Sequence, residues 1–200
     1  MLPQGGILCL DLSLTVGWAY GLSDQSVKPI GGVWRLPRTK AKDGSGQMGL
    51  IFSSLMNCLD TAIDLHLPEM IVYEAPLLLA DKVDRLLKNL AAMVELAAYE
   101  ADKLPCREVT VGNARQLVIG RRSFREPFRG QGVIKTVRKR IPRKPGAPRD
   151  AVATKRLVGD PKEEVMIWAK SQGYDPVDDN HADALLLLKY ACVMAKVLKS

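Results

Sequence analysis

The sequence predicts an α/β fold: a five-stranded mixed sheet, of order 3-2-1-4-5, flanked by helices. Three observations predict it. The first third holds three apolar, strand-like runs with short connections; helical and strand-like stretches then alternate; and two of the strand-like runs end in a carboxylate.

Ile7-Leu-Cys-Leu-Asp-Leu12 reads as a buried strand closed by Asp11. Val16 to Leu22 and Ile30 to Leu36 read as two more strands, separated by the polar turn Ser23 to Pro29, and the three form an antiparallel meander. After a Lys- and Gly-rich stretch from Thr39 to Gln47, Leu50, Ile51, Leu55, Leu59, Ala62 and Ile63 recur at helical spacing. Glu69 to Glu74 is the fourth strand, and Val83 to Lys103 a long amphipathic helix. Arg107 to Val111 is a short strand, and Asn113 to Ile119 a short helix. Asp160-Pro-Lys-Glu163 starts a helix, with Asp as cap and Pro in the first turn, and Gly173 stops it. Asp178 or Asp179 caps a last helix, apolar nearly all round from Ala182 to Leu198 and therefore buried.

Two hundred residues, 47% of them hydrophobic, suit a single domain spanning 1–200 with a substantial core. The formal charge of +7 is local in origin. Residues 120–158 hold thirteen Lys and Arg against two acids, so the rest of the chain is net acidic. Such a segment suits a polyanion, with Arg121, Arg122, Arg125, Lys135, Arg138, Lys139, Arg140, Arg143 and Lys144 as candidate phosphate contacts. Phe124 and Phe128 are candidates for stacking on unpaired bases. Its glycines and prolines are equally those of a solvated loop. The four scattered cysteines form no zinc motif. The N-terminus lacks the pattern of a signal peptide, and the last apolar stretch is short and interrupted by charge. The expectation is a protein without membrane attachment, in a bacterial cytoplasm or a phage-infected one.

In a 3-2-1-4-5 order the first and fourth strands are parallel neighbours where the strand order reverses. Ligands in open α/β sheets bind beyond the carboxyl ends of strands at such a point. Asp11 and Glu74 stand near those two ends. Two like charges at the rim of an apolar sheet repel and lose solvation unless something positive joins them. Either a divalent cation does so, or each acid caps a helix or pairs with Lys or Arg. Asp183 is the third candidate ligand, one turn into an otherwise apolar helix, with Asn180 and Asp179 on the same face. Oxygen donors from three separate segments suit Mg²⁺ or Mn²⁺. Asp179 and Asp183 also suit the positive end of a helix dipole. His181 is placed at the start of that helix, where an exposed histidine is expected.

Asp11 in Leu-Asp-Leu-Ser-Leu-Thr-Val-Gly-Trp, Glu74 in Ile-Val-Tyr-Glu-Ala-Pro and Asp183 in Asn-His-Ala-Asp-Ala-Leu resemble the acidic motifs of RuvC-type Holliday junction resolvases. Asn113 to Gly120, followed by Lys162-Glu-Glu-Val165, is similar to the segment before the family's third acidic motif. The resemblance implies an RNase H-like fold, a homodimer, and two Mg²⁺ ions per site for which Mn²⁺ substitutes. It implies nicking of four-way DNA junctions, with Asp11, Glu74 and Asp183 as ligands and Lys162 near the scissile phosphate. Leu77, just after Glu74, stands where related resolvases carry an aromatic wedge that opens the junction centre.

Two features depart from the family. Asn180 replaces an acid, leaving Asn180 or Asp179 as the fourth ligand, and the basic segment makes the chain about forty residues longer. Two other readings fit parts of the sequence. One is a non-catalytic nucleic-acid-binding protein of the same fold. The other is an actin-like ATPase or kinase, which also begins with a strand-end Asp but needs glycine-rich phosphate loops missing from this sequence.

Overall fold

The computed structural model describes residues 5–37, 46–76, 82–120 and 161–197. Strands β1 (Gly6–Asp11), β2 (Thr15–Leu22) and β3 (Ile30–Arg35) form the meander, and helix α1 (Gln47–His66) leads to β4 (Met70–Glu74). Helix α2 (Lys82–Glu100), strand β5 (Cys106–Val109) and helices α3 (Val111–Ile119), α4 (Pro161–Ser171) and α5 (Asp179–Val197) complete the order. The sheet runs β3-β2-β1-β4-β5, as the sequence predicts, with β1–β2 and β2–β3 antiparallel and β1–β4 and β4–β5 parallel.

Side chains alternate across a strand, and this sorts the core into two layers. Leu8 and Leu10 of β1 and Ile71 and Tyr73 of β4 point to one face. There they meet Ile51, Leu55 and Leu59 of α1 and Leu90, Val94 and Ala98 of α2. The Tyr73 hydroxyl donates to Glu95 Oε1 at 2.6 Å and ties α2 to that face. Ile7, Cys9, Met70 and Val72 point the other way, onto α5, with Ala114 of α3 and Val165 and Ala169 of α4 beside it. By length and composition α1 is apolar enough to cross a membrane, and its Ile51, Leu55, Leu59 and Ala62 are buried in this fold.

The expected elements are all present, with shifted ends. Helix α2 stops at Glu100 because Asp102 and Lys103 take left-handed backbone conformations. The last strand ends at Val109, and α3 begins at Val111, two residues before the predicted start. Gly173, at φ 79°, terminates α4, with the Tyr174 N–H returning to the Ala169 carbonyl at 3.0 Å. Cys9 and Cys192 are buried, Cys58 and Cys106 half-buried, and all four are free thiols.

Close approach of α5 to the sheet depends on small residues. Gly17, Ala19 and Gly21 alternate along one face of β2, and Gly31 pairs with Ala19 on β3. A Cβ at Gly17 would collide with the Asn180 carbonyl, and one at Gly21 would touch Leu188 at 3.0 Å. Helix α5 therefore lies with its first turn against β2, directly beside the end of β1, since Gly17 is the register partner of Asp11.

Candidate metal centre

Asp11 closes β1 and Glu74 closes β4. These strands pair in parallel up to Leu10 opposite Tyr73, so the two acids occupy the next step of the same register. By alternation both share the face of Cys9 and Val72, the side on which α5 packs. Neighbouring strands lie about 4.8 Å apart, which sets the two carboxyls side by side. The two carboxyls are close enough to interact directly. Burial pushes both acids above the usual carboxylate range. Asp11, 9% exposed, is raised well above it, with Glu74, Asp183 and Asp179 adding repulsion. The contact between the two carboxyls adds to the rise at Asp11 and opposes it at Glu74.

Asp183 comes from the second turn of α5, and its Oδ1 accepts from Arg115 Nη2 of α3 at 3.1 Å. Both side chains are 15% exposed. Arg115 also acts on Glu74, holding its carboxyl down against the effect of burial. Four acids from three segments, Asp11, Glu74, Asp183 and Asp179, thus share one electrostatic neighbourhood with one arginine inside it. The Arg115 guanidinium compensates Asp183, while burial and mutual repulsion disfavour the charged forms of Asp11 and Glu74. Among the described residues, no three acidic, histidine or cysteine side chains are already grouped as a metal cage. The donor set is nonetheless chemically suited to a hard divalent cation. It is all carboxylate oxygen, buried at a rim, and its members repel one another.

Other predicted residues fall in different places. Asn180 lies in the first turn of α5, its carbonyl against Gly17. Lys162 is the second residue of α4; its side chain lies outside the described residues, as do Leu77 and the basic residues from Arg121 to Lys144. The expectation of an exposed His181 is corrected: it is 6% exposed, because the missing side chain of Gly31 opens a slot for the ring. Burial lowers its pKa below the usual histidine value. Arg115 was not singled out from the sequence. It sits in an ordinary amphipathic segment, and only the packing of α3 on α5 brings it to Asp183.

The carboxylate pair has a measurable consequence. An acid whose pKa is raised in the folded state stabilises the fold fully below its unfolded value, near 4, and loses that contribution as pH rises through the folded value. In EDTA the Asp11→Asn protein should gain on the wild type as pH goes from 4.5 to 7.5, by at least ~3 °C in Tm. Thermal melts of both proteins across that range test this, and a pH-independent difference would contradict it.

No family model and no curated protein sequence matches the chain. Solved structures do. RuvC of T. thermophilus in complex with a Holliday junction substrate superposes with a TM-score of 0.61 at 12% identity, over 98% of this chain and 96% of that one. The fold is RuvC-like. A second Thermus thermophilus RuvC structure gives a TM-score of 0.57 at 12% identity, covering 97% of this chain and 96% of that one. The yeast mitochondrial Holliday junction resolvase Ydc2 gives 0.61 at 11% identity, over 100% of this chain and 82% of that one. The RuvC-like sheet places Asp11 and Glu74 at the reversal of strand order, where open α/β sheets bind their ligands.

Proposed function

We propose that the chain is a metal-dependent endonuclease that cuts branched DNA, four-way junctions among its substrates. The observation that carries this reading is the convergence of Asp11, Glu74 and Asp183 at the strand-order reversal of a RuvC-like sheet. Asp11, Glu74 and Asp183 would hold Mg²⁺ or Mn²⁺, with Asp179 or Asn180 completing the set. Two such ions would neutralise the scissile phosphate, acidify a water and stabilise the leaving 3′ oxygen. The chain's own groups prepare for this. Asp11, the most buried of these acids, would hold metal together with Glu74 and Asp183. Arg115, paired with Asp183 here, would offer its positive charge to a phosphate oxygen at the same rim. Lys162, at the start of α4, would stand near the scissile phosphate.

Substrate engagement would come from the basic segment, and from Leu77 as an aliphatic wedge at the junction centre. Binding should weaken steeply with salt, log K falling by about 0.9 per phosphate neutralised for each tenfold rise in salt. Replacing Arg138, Lys139, Arg140, Arg143 and Lys144 with alanine should flatten that slope, read by anisotropy titrations from 50 to 200 mM salt. An unchanged slope would remove the segment from the DNA interface. Nicking both arms of a junction needs two sites, so we propose a homodimer. Leu96 and Tyr99, exposed one turn apart on α2, are suited to that contact.

The reading is tested by offering four-way, three-way, flap, duplex and RNA–DNA hybrid substrates with Mg²⁺ or Mn²⁺. Cleavage of the branched forms with duplex left intact is the expected result. Metal-independent binding with no cleavage of any substrate would favour a non-catalytic role on the same fold.

A further inference from the structure

Asp178 precedes α5 and caps it, its Oδ1 accepting the N–H of His181 at 3.0 Å. His181 answers in the reverse direction: its Nδ1 accepts the N–H of Val177 at 3.1 Å. This resembles a capping box with an imidazole in place of Glu or Gln, except that the ring accepts from Val177, one residue before the cap. A carboxylate would end there, but the ring continues inward. Because Nδ1 accepts, the ring proton belongs on Nε2, a buried atom with no hydrogen-bond partner among the described residues. Nε2 lies in the slot beside Gly31, 2.6 Å from where a Cβ would be, with the Trp18 carbonyl at the same slot. One side chain thus touches the loop before α5, the first turn of α5 and the β2–β3 hairpin.

We infer that His181 is a positioning residue for the candidate metal centre, registering the first turn of α5 against the hairpin so that Asp179 and Asp183 stand beside Asp11. This rests on the metal-dependent reading above. Residues two apart on a helix point to different sides. With His181 seated in the hairpin, Asp183 is turned toward Arg115 of α3 and the end of β1. Loss of the ring would free the Val177 N–H, leave the Gly31 slot empty and let the first turn of α5 fray, carrying two acids with it.

The test is Mn²⁺ affinity by EPR titration of the full chain, comparing wild type with His181→Ala and His181→Asn. Asparagine puts an acceptor oxygen near the position of Nδ1 and can restore the Val177 bond. The alanine protein should bind Mn²⁺ about 10–100-fold more weakly, as for lost groups that orient ligands. The asparagine protein should recover most of that loss. Equal affinity in wild type and alanine proteins overturns the inference, and so does asparagine no better than alanine. If the alanine protein fails to fold by circular dichroism, the asparagine protein decides alone. Affinity within about threefold of wild type then supports the role, and a larger loss refutes it. A wild type that takes up no Mn²⁺ is a separate result, which defeats the metal-dependent reading and this inference with it.

Discussion

Asp11→Asn is expected to abolish cleavage while leaving junction binding intact or stronger. A bound divalent cation lowers a phosphodiester-hydrolysis barrier by several kcal/mol. Losing about 4 kcal/mol corresponds to a rate decrease of roughly a thousandfold. The substitution is nearly isosteric, and the asparagine NH₂ can donate to Glu74. The fold therefore sheds a buried acid whose ionisation is opposed by burial and by three neighbouring carboxylates. Stability should rise in the absence of metal for the same reason that activity falls. Removing negative charge from the rim also lessens repulsion of phosphate, so affinity should not drop. Single-turnover cleavage and anisotropy on one junction substrate separate the two effects. Parallel loss of binding and cleavage would mean that Asp11 serves the DNA interface rather than the chemistry.

Gly17→Ala is expected to damage fold and site together. The added methyl would fall on the backbone carbonyl of Asn180, which a side-chain rotation cannot relieve. The first turn of α5 must move away from β2, and Asp179 and Asp183 move with it. Overpacking of this kind costs about 1–3 kcal/mol. In a chain of this length that is a fall of roughly 3–10 °C in Tm. Cleavage should fall further than the loss of folded protein explains, because Asp183 would no longer stand beside Asp11. Gly21→Ala is the control on the same strand face. Its methyl would meet the end of the Leu188 side chain at 3.0 Å, which can shift, so a small change in Tm and unchanged cleavage are expected. Equal behaviour of the two variants would show that the approach of α5 at Gly17 does not govern the site.

Much of this was readable in the sequence because the relevant signals are local. Asp11 and Glu74 each end a run of apolar residues, and a carboxylate there is conspicuous. Apolar alternation and helical spacing sufficed to set the element order, and short connections among the first three strands fixed the meander. Arg115 was not legible, because its partner lies 68 residues away on another helix. His181 was misplaced for a related reason. A histidine at a helix start is ordinarily exposed, and its burial depends on an absent side chain at Gly31, two strands and 150 residues earlier. A signal for the burial of His181 existed in Gly17-Trp-Ala-Tyr-Gly21, where small residues alternate on one strand face. That pattern marks a helix lying unusually near the sheet. Leu77 and the basic residues from Arg121 to Lys144 lie outside the described residues, so their roles rest on sequence and charge.

The most direct measurement is the anomalous signal of Mn²⁺ in crystals of the wild-type protein at neutral pH. The expected density touches Asp11 together with Glu74 or Asp183, with Arg115 turned away from Asp183. Manganese bound elsewhere, with the carboxyl pair and the Arg115–Asp183 bridge intact at saturating metal, would contradict the proposal that these acids form a nuclease centre.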